Sequence, residues 1–184
     1  VVIVFDGKGG SNSRKEIYSG YKSERGKNKI KMRLNRAASI QMTPEEESAS
    51  MKRQMTALGE LLSVLPVTIM IYDGIEADDV IANIARQILG EDEECIIVST
   101  DKDFLQLADD RVKIWSPTKK KLYGCAEILL EYGISCKNFI NYRVMEGDTS
   151  DNIDGISGAG LKTIIKCFPI FTEEHQYTLQ EIYN

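Results

Sequence analysis

Three carboxylates stand within the five residues Ile75–Asp79, namely Glu76, Asp78 and Asp79. A β-branched run, residues 67–72, precedes them, and an apolar run with helical spacing follows. The pattern predicts a strand-to-helix junction with the acids in the first helical turn. Acids in that position also complement the helix dipole and cap free N–H groups, which is the simpler interpretation of this cluster taken alone.

Further acids stand at comparable junctions along the chain. One ends the strand-like run at residues 1–5, two follow the run at residues 95–100, and two lie in the Gly- and Asp-rich stretch 147–160. The carboxyl ends of parallel strands meet at one edge of a sheet, and gathered acids stay ionised only when cations join them. We therefore predict that divalent metal ions are bound by a set of eight carboxylates: Asp6, Glu76, Asp78, Asp79, Asp101, Asp103, Asp148 and Asp151.

Ligands that are all oxygen favour Mg²⁺ or Mn²⁺ over zinc. Two such ions can hold a phosphodiester in line, one activating water and the other stabilising the leaving oxygen. That chemistry needs no general base from the protein, which fits a chain with the single histidine His175. The four cysteines form no Cys-x-x-Cys pair, so we predict that they are reduced, with Cys95 in the core, in a cytoplasmic compartment.

Basic residues are concentrated near the start of the chain. Between Lys8 and Arg36 there are ten basic residues and two acidic ones, whereas the whole chain carries a net charge of −5. A basic segment beside an acidic body suggests a polyanion bound by one part and metal bound by another. A solvated basic helix face is the alternative interpretation.

Strand-like runs alternate with helical patterns, which predicts an α/β fold with a parallel sheet. The strands are predicted at 1–5, 67–72, 95–100, 112–115 and 119–123, the last two as a hairpin. The helices are predicted at 43–64, 75–89, 103–108, 126–132, 137–146, 161–168 and 178–183. The first of them begins with a capping box at Thr43-Pro44-Glu45-Glu46. Its apolar stripe is interpreted as core packing: Met51, Met55, Leu58, Leu61, Leu62 and Leu65.

Gly158-x-Gly160-x-Lys162 predicts a tight turn that opens a helix. Backbone N–H groups in such a turn can meet a phosphate, and Lys162 can add charge. The Walker spacing is absent, so nucleotide binding is not indicated. A glycine-capped helical hairpin without a ligand is the simpler interpretation of this motif alone.

Taken together, five motifs resemble those of the 5′→3′ exonuclease/flap endonuclease family, which includes phage 5′-nucleases and the nuclease domain of bacterial DNA polymerase I. They are Phe5-Asp6-Gly7-Lys8-Gly9, Tyr21-Lys22-Ser23-Glu24-Arg25, Glu76-Ala77-Asp78-Asp79-Val80, Ser99-Thr100-Asp101-Lys102-Asp103 and the stretch from Gly147 to Thr163. They occur in the family's order and cover nearly the whole chain. The resemblance implies a PIN-like parallel sheet flanked by helices, with a helical arch and a helix–three-turn–helix element.

Site roles also follow from the resemblance. It implies metal binding by the eight acids, a catalytic role for Lys22, Arg25 and Asp79, and base stacking by Tyr21. It further implies that DNA is bound by Tyr21, Lys22 and Arg25 and by Gly155, Gly158, Gly160, Lys162 and Thr163, with K⁺ at the second group. Residues 1–134 would form the catalytic domain, with the arch at about 14–42, and residues 135–184 an incomplete DNA-binding region.

We therefore expect a monomeric, two-metal 5′→3′ exonuclease and flap endonuclease in a bacterial or phage-infected cell. Its expected partners are DNA with 5′ ends or flaps, RNA–DNA primers and a polymerase or sliding clamp, without a membrane. Two features depart from the family: Asp154 stands where proline is common, and the family's additional first-strand aspartate would lie upstream of Val1, as if the chain began inside a domain. A non-catalytic branched-DNA binding module and a PIN-type endoribonuclease are the alternatives.

Overall fold

The predicted β-branched runs form the strands. The computed structural model describes residues 1–23 and 43–183. Its strands are β1 (Val2–Asp6), β2 (Thr68–Tyr72), β3 (Cys95–Val98), β4 (Val112–Ser116) and β5 (Lys121–Tyr123). β1 pairs in parallel with β2 and β3 with β4, while β4 and β5 form the predicted antiparallel hairpin.

The sheet is divided. Within the described residues, β1 and β2 form one sheet and β3, β4 and β5 form another. The link between the two comes from a helix instead, because the helix that follows β2 contacts both β1 and the turn after β3. The α/β class with parallel strands is confirmed.

Helices cover the remaining predicted segments. They are α1 (Asn12–Ile17), α2 (Pro44–Ser63), α3 (Ala77–Asn83), α4 (Cys125–Tyr132), α5 (Phe139–Glu146), α6 (Leu161–Cys167) and α7 (Leu179–Tyr183). A π-helical turn, Ile84–Ile88, continues α3, and 3₁₀ turns occupy Lys102–Leu107, Cys136–Asn138 and Pro169–Thr172. No helix in the described part of the chain is long and apolar enough to cross a membrane.

The core lies around the second sheet and the C-terminal helices. Val112 and Ile114 of β4 pack there with Ile128 of α4 and Phe139 of α5, and all four side chains are fully buried. Cys95 packs against this core and is half-buried. Phe104 and Leu105, in the turn after β3, pack into the same core, so Asp101 and Asp103 lie beside a rigid base.

Helix α2 begins as predicted but does not pack as predicted. Thr43 Oγ1 accepts from Glu46 N at 3.2 Å, and Glu46 Oε2 accepts from Thr43 N at 2.7 Å, which completes the capping box. Of its apolar stripe only Leu62 is buried, whereas Met51 is 69% exposed. The assignment of the stripe to the core was wrong, because no described element forms a layer over Met51, Met55, Leu58, Leu61 and Leu65.

The cysteines also differ from the prediction of four reduced thiols. Cys125 and Cys136 form a disulfide with their Cα atoms 5.2 Å apart, while Cys95 and Cys167 are free. The pair meets because Cys125 begins α4 and Cys136 begins the 3₁₀ turn that returns beside it. Spacing along the sequence does not reveal such a return.

Candidate functional site

Glu76, the residue before α3, is the centre of the first acid group. Its side chain is buried, and its Oε2 accepts from Arg14 at 2.6 Å and from the Tyr21 hydroxyl at 3.0 Å. Its Oε1 accepts from Lys22 Nζ at 2.5 Å. Burial alone would raise the pKa of Glu76, but the hydrogen bonds from Lys22 and Tyr21 and the charge of Arg14 hold it below its ordinary value.

Tyr21 lies inside the protein and is 6% exposed. Burial, together with the hydrogen bond to Glu76, raises the pKa of its hydroxyl, which therefore remains a donor at neutral pH. Lys22 Nζ lies 4.8 Å from the centre of the Tyr21 ring. Tyr21, which the resemblance assigns to base stacking, therefore packs against the charged side chains of Lys22 and Glu76.

Arg14 of α1 joins Glu76 to the first turn of α3. Its second terminal nitrogen donates to Asp79 Oδ1 at 2.7 Å and lies 3.9 Å from Asp78 Oδ1. Burial and the charges of Glu76 and Asp79 raise the pKa of Asp78 despite the opposing charge of Arg14. Asp6, at the end of β1, accepts from Ala77 N at 2.8 Å and so caps the start of α3.

A second arginine, Arg143 of α5, organises the acids of the second group. Its side chain is 8% exposed; Nε donates to Asp103 Oδ1, and a terminal nitrogen donates to Asp148 Oδ2 at 2.9 Å. The other terminal nitrogen donates to Glu146 and to the carbonyl oxygen of Gly147. Although burial disfavours the charged form, Asp103, Glu146 and Asp148 together raise the pKa of Arg143.

Asp101 and Asp148 organise the turns in which they lie. Asp101 is the N-cap of the 3₁₀ turn after β3, since its Oδ1 accepts from Asp103 N at 2.9 Å. Asp148 Oδ1 accepts from Ser150 N at 2.8 Å and from Ser150 Oγ at 2.6 Å. Although burial would raise it, these bonds and the charge of Arg143 hold the pKa of Asp148 low.

The turn that carries Asp148 and Asp151 is not helical, so the two acids do not share a helix face. Asp148 pairs with Ile153 in an antiparallel bridge, and Gly147 has a φ of +75°. A side chain at Gly155 would place its Cβ 2.1 Å from the carbonyl oxygen of Glu146. The two glycines therefore permit a close backbone approach that closes this turn.

One cleft of about 930 Å³ unites these segments. Its walls include six of the predicted acids: Asp78, Asp79, Asp101, Asp103, Asp148 and Asp151. Among the described residues, three cationic side chains lie in the same walls: Arg14, Lys22 and Lys102. The described part of the wall therefore carries more negative than positive charge, which favours an added cation.

The acids share this cleft but do not converge on one centre. No three carboxylate, cysteine or histidine side chains among residues 1–23 and 43–183 are arranged to hold a metal ion. The protein's own cations lie between the acids instead, because Arg14 and Arg143 each bind more than one carboxylate. The donors, all carboxylate oxygen, nevertheless fit a hard divalent cation in type.

The other predicted site residues lie elsewhere. Glu76 sits behind the cleft wall, covered by Tyr21 and Lys22, and Asp6 faces α3. The predicted DNA-binding residues of the turn before α6 and of the first turn of α6 are exposed and do not line the cleft: Gly155, Gly158, Gly160, Lys162 and Thr163. Arg25 and most of the predicted arch lie outside the described residues.

Sequence reasoning missed the residues that hold the acids together. Arg14 and Arg143 bind two or more acids each, and Glu146 accepts from Lys102 at 2.6 Å and from the Tyr142 hydroxyl at 2.5 Å. The available signal was the spacing of Arg143 and Glu146, three residues apart on one helix face, immediately before Asp148. Nothing in the sequence marks Arg14 as the partner of a residue more than sixty positions away.

Comparison with known proteins gives consistent matches. Residues 1–133 match the family described as 5′-3′ exonuclease, N-terminal resolvase-like domain. The chain is 33% identical over 184 residues to DNA polymerase I of Deinococcus radiodurans, covering 100% of this chain and 16% of that protein. It is 29% identical over 184 residues to a 5′-3′ exonuclease of Buchnera aphidicola subsp. Schizaphis graminum, covering 100% of this chain and 55% of the relative.

A solved structure shares the fold. The T5 D15 protein, co-crystallised with metal ions, superposes with a TM-score of 0.77 at 25% identity, covering 98% of this chain and 63% of the other. The chain thus spans about a sixth of the polymerase and somewhat more than half of the exonuclease that it matches. By its sequence and its α/β fold, the chain belongs to the 5′-3′ exonuclease family, in which it matches the N-terminal resolvase-like domain.

Proposed function

We propose that the chain carries a divalent-metal-dependent 5′→3′ exonuclease and 5′-flap endonuclease activity on DNA, and on RNA primers, in replication or repair. The observation that supports this most directly is the cleft of about 930 Å³, in which acids from three separate segments face basic residues from a fourth. Family membership supports the same reaction, since the Buchnera relative is a 5′-3′ exonuclease.

The acids of the cleft wall are the proposed ligands, with Asp6 and Glu76 completing the set behind it. Two Mg²⁺ or Mn²⁺ ions bound there would neutralise the phosphodiester and activate water for its hydrolysis. Each acid group is already held in place by an arginine, so the carboxylates are positioned before any ligand arrives. K⁺ at the turn 155–163 remains a proposal from the resemblance.

Lys22 is the proposed contact to the scissile phosphate. Lys22 lines the cleft, its backbone adopts a φ of +57°, and its backbone N–H donates to the carbonyl oxygen of Asp151 at 2.9 Å. This bond holds the backbone of Lys22 beside the turn that carries Asp148 and Asp151, while its Nζ donates to Glu76. A point charge on a flexible stem suits a phosphate oxygen. Asp79, whose carboxylate accepts from Arg14, is the other proposed catalytic residue of the described part of the chain.

A non-catalytic binding module remains the second candidate, favoured by the arginines that lie between the acids. Cleavage of a 3′-labelled 5′-flap DNA in Mg²⁺ separates the two. Wild type is expected to cut near the junction, and Asp101→Asn is expected to reduce cutting strongly. Asparagine caps a helix as well as aspartate does, so this change removes the charge while keeping the bond to Asp103 N.

Asp73→Asn is the matched control. Asp73 also accepts a backbone N–H, that of Lys8 at 2.8 Å, but it lies outside the cleft. It should cleave like wild type. If wild type binds the flap but does not cleave it at any Mg²⁺ concentration, the binding module is supported. Cleavage that persists in EDTA would contradict metal dependence. Preferential cutting of single-stranded RNA would support an endoribonuclease.

A further inference from the structure

The most deeply buried cation of the site is Arg143, and the proposed reaction leaves it without a role. Its side chain is 8% exposed, against 34% for Arg14 and 43% for Lys102. Every nitrogen of its guanidinium donates: Nε to Asp103, one terminal nitrogen to Asp148, and the other to Glu146 and Gly147. A merely charge-balancing cation would not need such complete use of its donors.

The acids joined by this fork come from distant parts of the chain. Asp103 lies in the 3₁₀ turn after β3, forty residues before Arg143. Asp148 follows α5, five residues after Arg143. No direct hydrogen bond is described between the two acids, and both line the cleft. Their relative position therefore depends on the planar fork that touches both.

The rigidity of arginine distinguishes it from lysine here. A guanidinium presents donors in fixed directions and can hold two carboxylates at a set separation, whereas an ammonium is a point charge without preferred directions. Since Arg143 also bonds to the carbonyl oxygen of Gly147 at 3.2 Å, the fork is anchored to the backbone at the start of the acid turn. The position of Arg143 on α5 therefore determines the distance between Asp103 and Asp148.

We propose that Arg143 is a positioning residue: its fork sets the spacing of Asp103 and Asp148, and thereby creates one of the two divalent-cation sites of the proposed nuclease. The proposal rests on the proposed function. It does not make Arg143 a ligand or a contact to DNA. It predicts that the shape of the side chain, and not only its charge, determines cation affinity at this site.

The test is calorimetric titration of Mn²⁺, without DNA, into wild type and Arg143→Lys. Lysine keeps the buried charge and most of the volume but loses the fork. We expect two Mn²⁺ sites in wild type and a loss of about 10- to 100-fold in affinity at one of them in the variant, the usual effect of removing a residue that orients a ligand. kcat on flap DNA should fall while KM for DNA stays unchanged.

Arg86→Lys is the matched control. Arg86 also uses a fork, donating to Asp109 at 2.7 Å and to the carbonyl oxygen of Gln106 at 3.2 Å, but it lies outside the cleft wall. Its Mn²⁺ titration should equal that of wild type. Circular dichroism at the titration temperature establishes that each protein is folded, and Arg143→Met is titrated in parallel.

The outcomes are separable. If wild type binds no Mn²⁺, the metal dependence of the proposed function fails, and the inference fails with it. If wild type binds two ions and folded Arg143→Lys binds both with unchanged or higher affinity, the proposed function stands and the positioning role is overturned. Loss of folded structure in both Arg143 variants would also overturn it, in favour of a purely structural arginine.

Discussion

Glu76→Gln tests how strongly the buried carboxylate stabilises the site. The carboxylate accepts from Arg14, Tyr21 and Lys22 at 2.6, 3.0 and 2.5 Å. A hydrogen bond to a charged group contributes about 1.5–3 kcal/mol and a neutral one about 1 kcal/mol. Glutamine keeps one neutral acceptor oxygen, whereas the NH₂ group that replaces the other oxygen cannot accept a hydrogen bond. Because Arg14 is a third exposed, we expect a loss of about 2–3 kcal/mol in the free energy of unfolding.

Urea denaturation at pH 7, followed by circular dichroism, measures this difference. Asp78→Asn is the matched control, because it also removes one negative charge, two residues from Glu76. The side chain of Asp78 is exposed, and its oxygen lies 3.9 Å from Arg14. Its change should stay within about 0.5 kcal/mol. An equal loss in both variants would mean that overall charge, and not the buried contacts of Glu76, sets the stability.

The difference in the free energy of unfolding between wild type and Glu76→Gln should depend on pH. The pKa of Glu76 is lower in the folded protein than its ordinary value, so the contribution of the carboxylate is complete above the unfolded pKa of about 4.3. It declines as the pH falls from there through the folded pKa. The difference between wild type and Glu76→Gln should therefore shrink on acidification below about pH 4.3. A difference that stays constant between pH 7 and pH 3 would refute the reasoning.

Two further changes test other parts of the fold. Hydrogen bonds from Lys119 and Lys121 lower the pKa of Glu131 to about 2, so Glu131→Gln should reduce the urea midpoint of unfolding at pH 7. The difference from wild type should disappear as the pH falls from about 4.5 to about 2. A difference that grows on acidification would contradict the assignment. The disulfide between Cys125 and Cys136 joins residues 11 positions apart, so Cys125→Ser should lower the free energy of unfolding by about 3 kcal/mol under oxidising conditions. The difference between the two proteins should vanish when wild type is reduced with dithiothreitol.

Local signals made several parts of the fold predictable. The capping box at Thr43 and Glu46 involves neighbours in sequence, and the β-branched runs carry their own strand preference. The acids at junctions were located because a strand and a helix each leave a periodic pattern that ends there. These patterns therefore placed Asp78 in the first turn of a helix, and Asp101 and Asp148 in the turns that follow regular elements.

Long-range partners were not predictable in the same way. Arg14 meets Asp79 across 65 positions, and Arg143 meets Asp103 across 40, and no local pattern encodes either pairing. The pattern on α2 is real, yet Met51 is exposed, because periodicity says which residues share a face and not whether another element covers it. Repulsion among the acids predicts that cations lie among them, but it does not distinguish an arginine side chain from a bound metal ion.

The contact between residues 20–22 and residues 151–152 has a consequence for how the molecule reaches its native state. Lys22 N bonds to the carbonyl oxygen of Asp151, and Asn152 Nδ2 bonds to the carbonyl oxygen of Gly20 across 132 positions. Closing so large a loop costs chain entropy before any contact compensates for it. Apart from Ala85, the buried residues of the core around β4 and α5 lie between Ile97 and Phe171, so this core forms through shorter loops, whereas the cleft must wait for residues 20–22 and 151–152 to meet. Folding order therefore places the acidic wall late, after the base on which it rests.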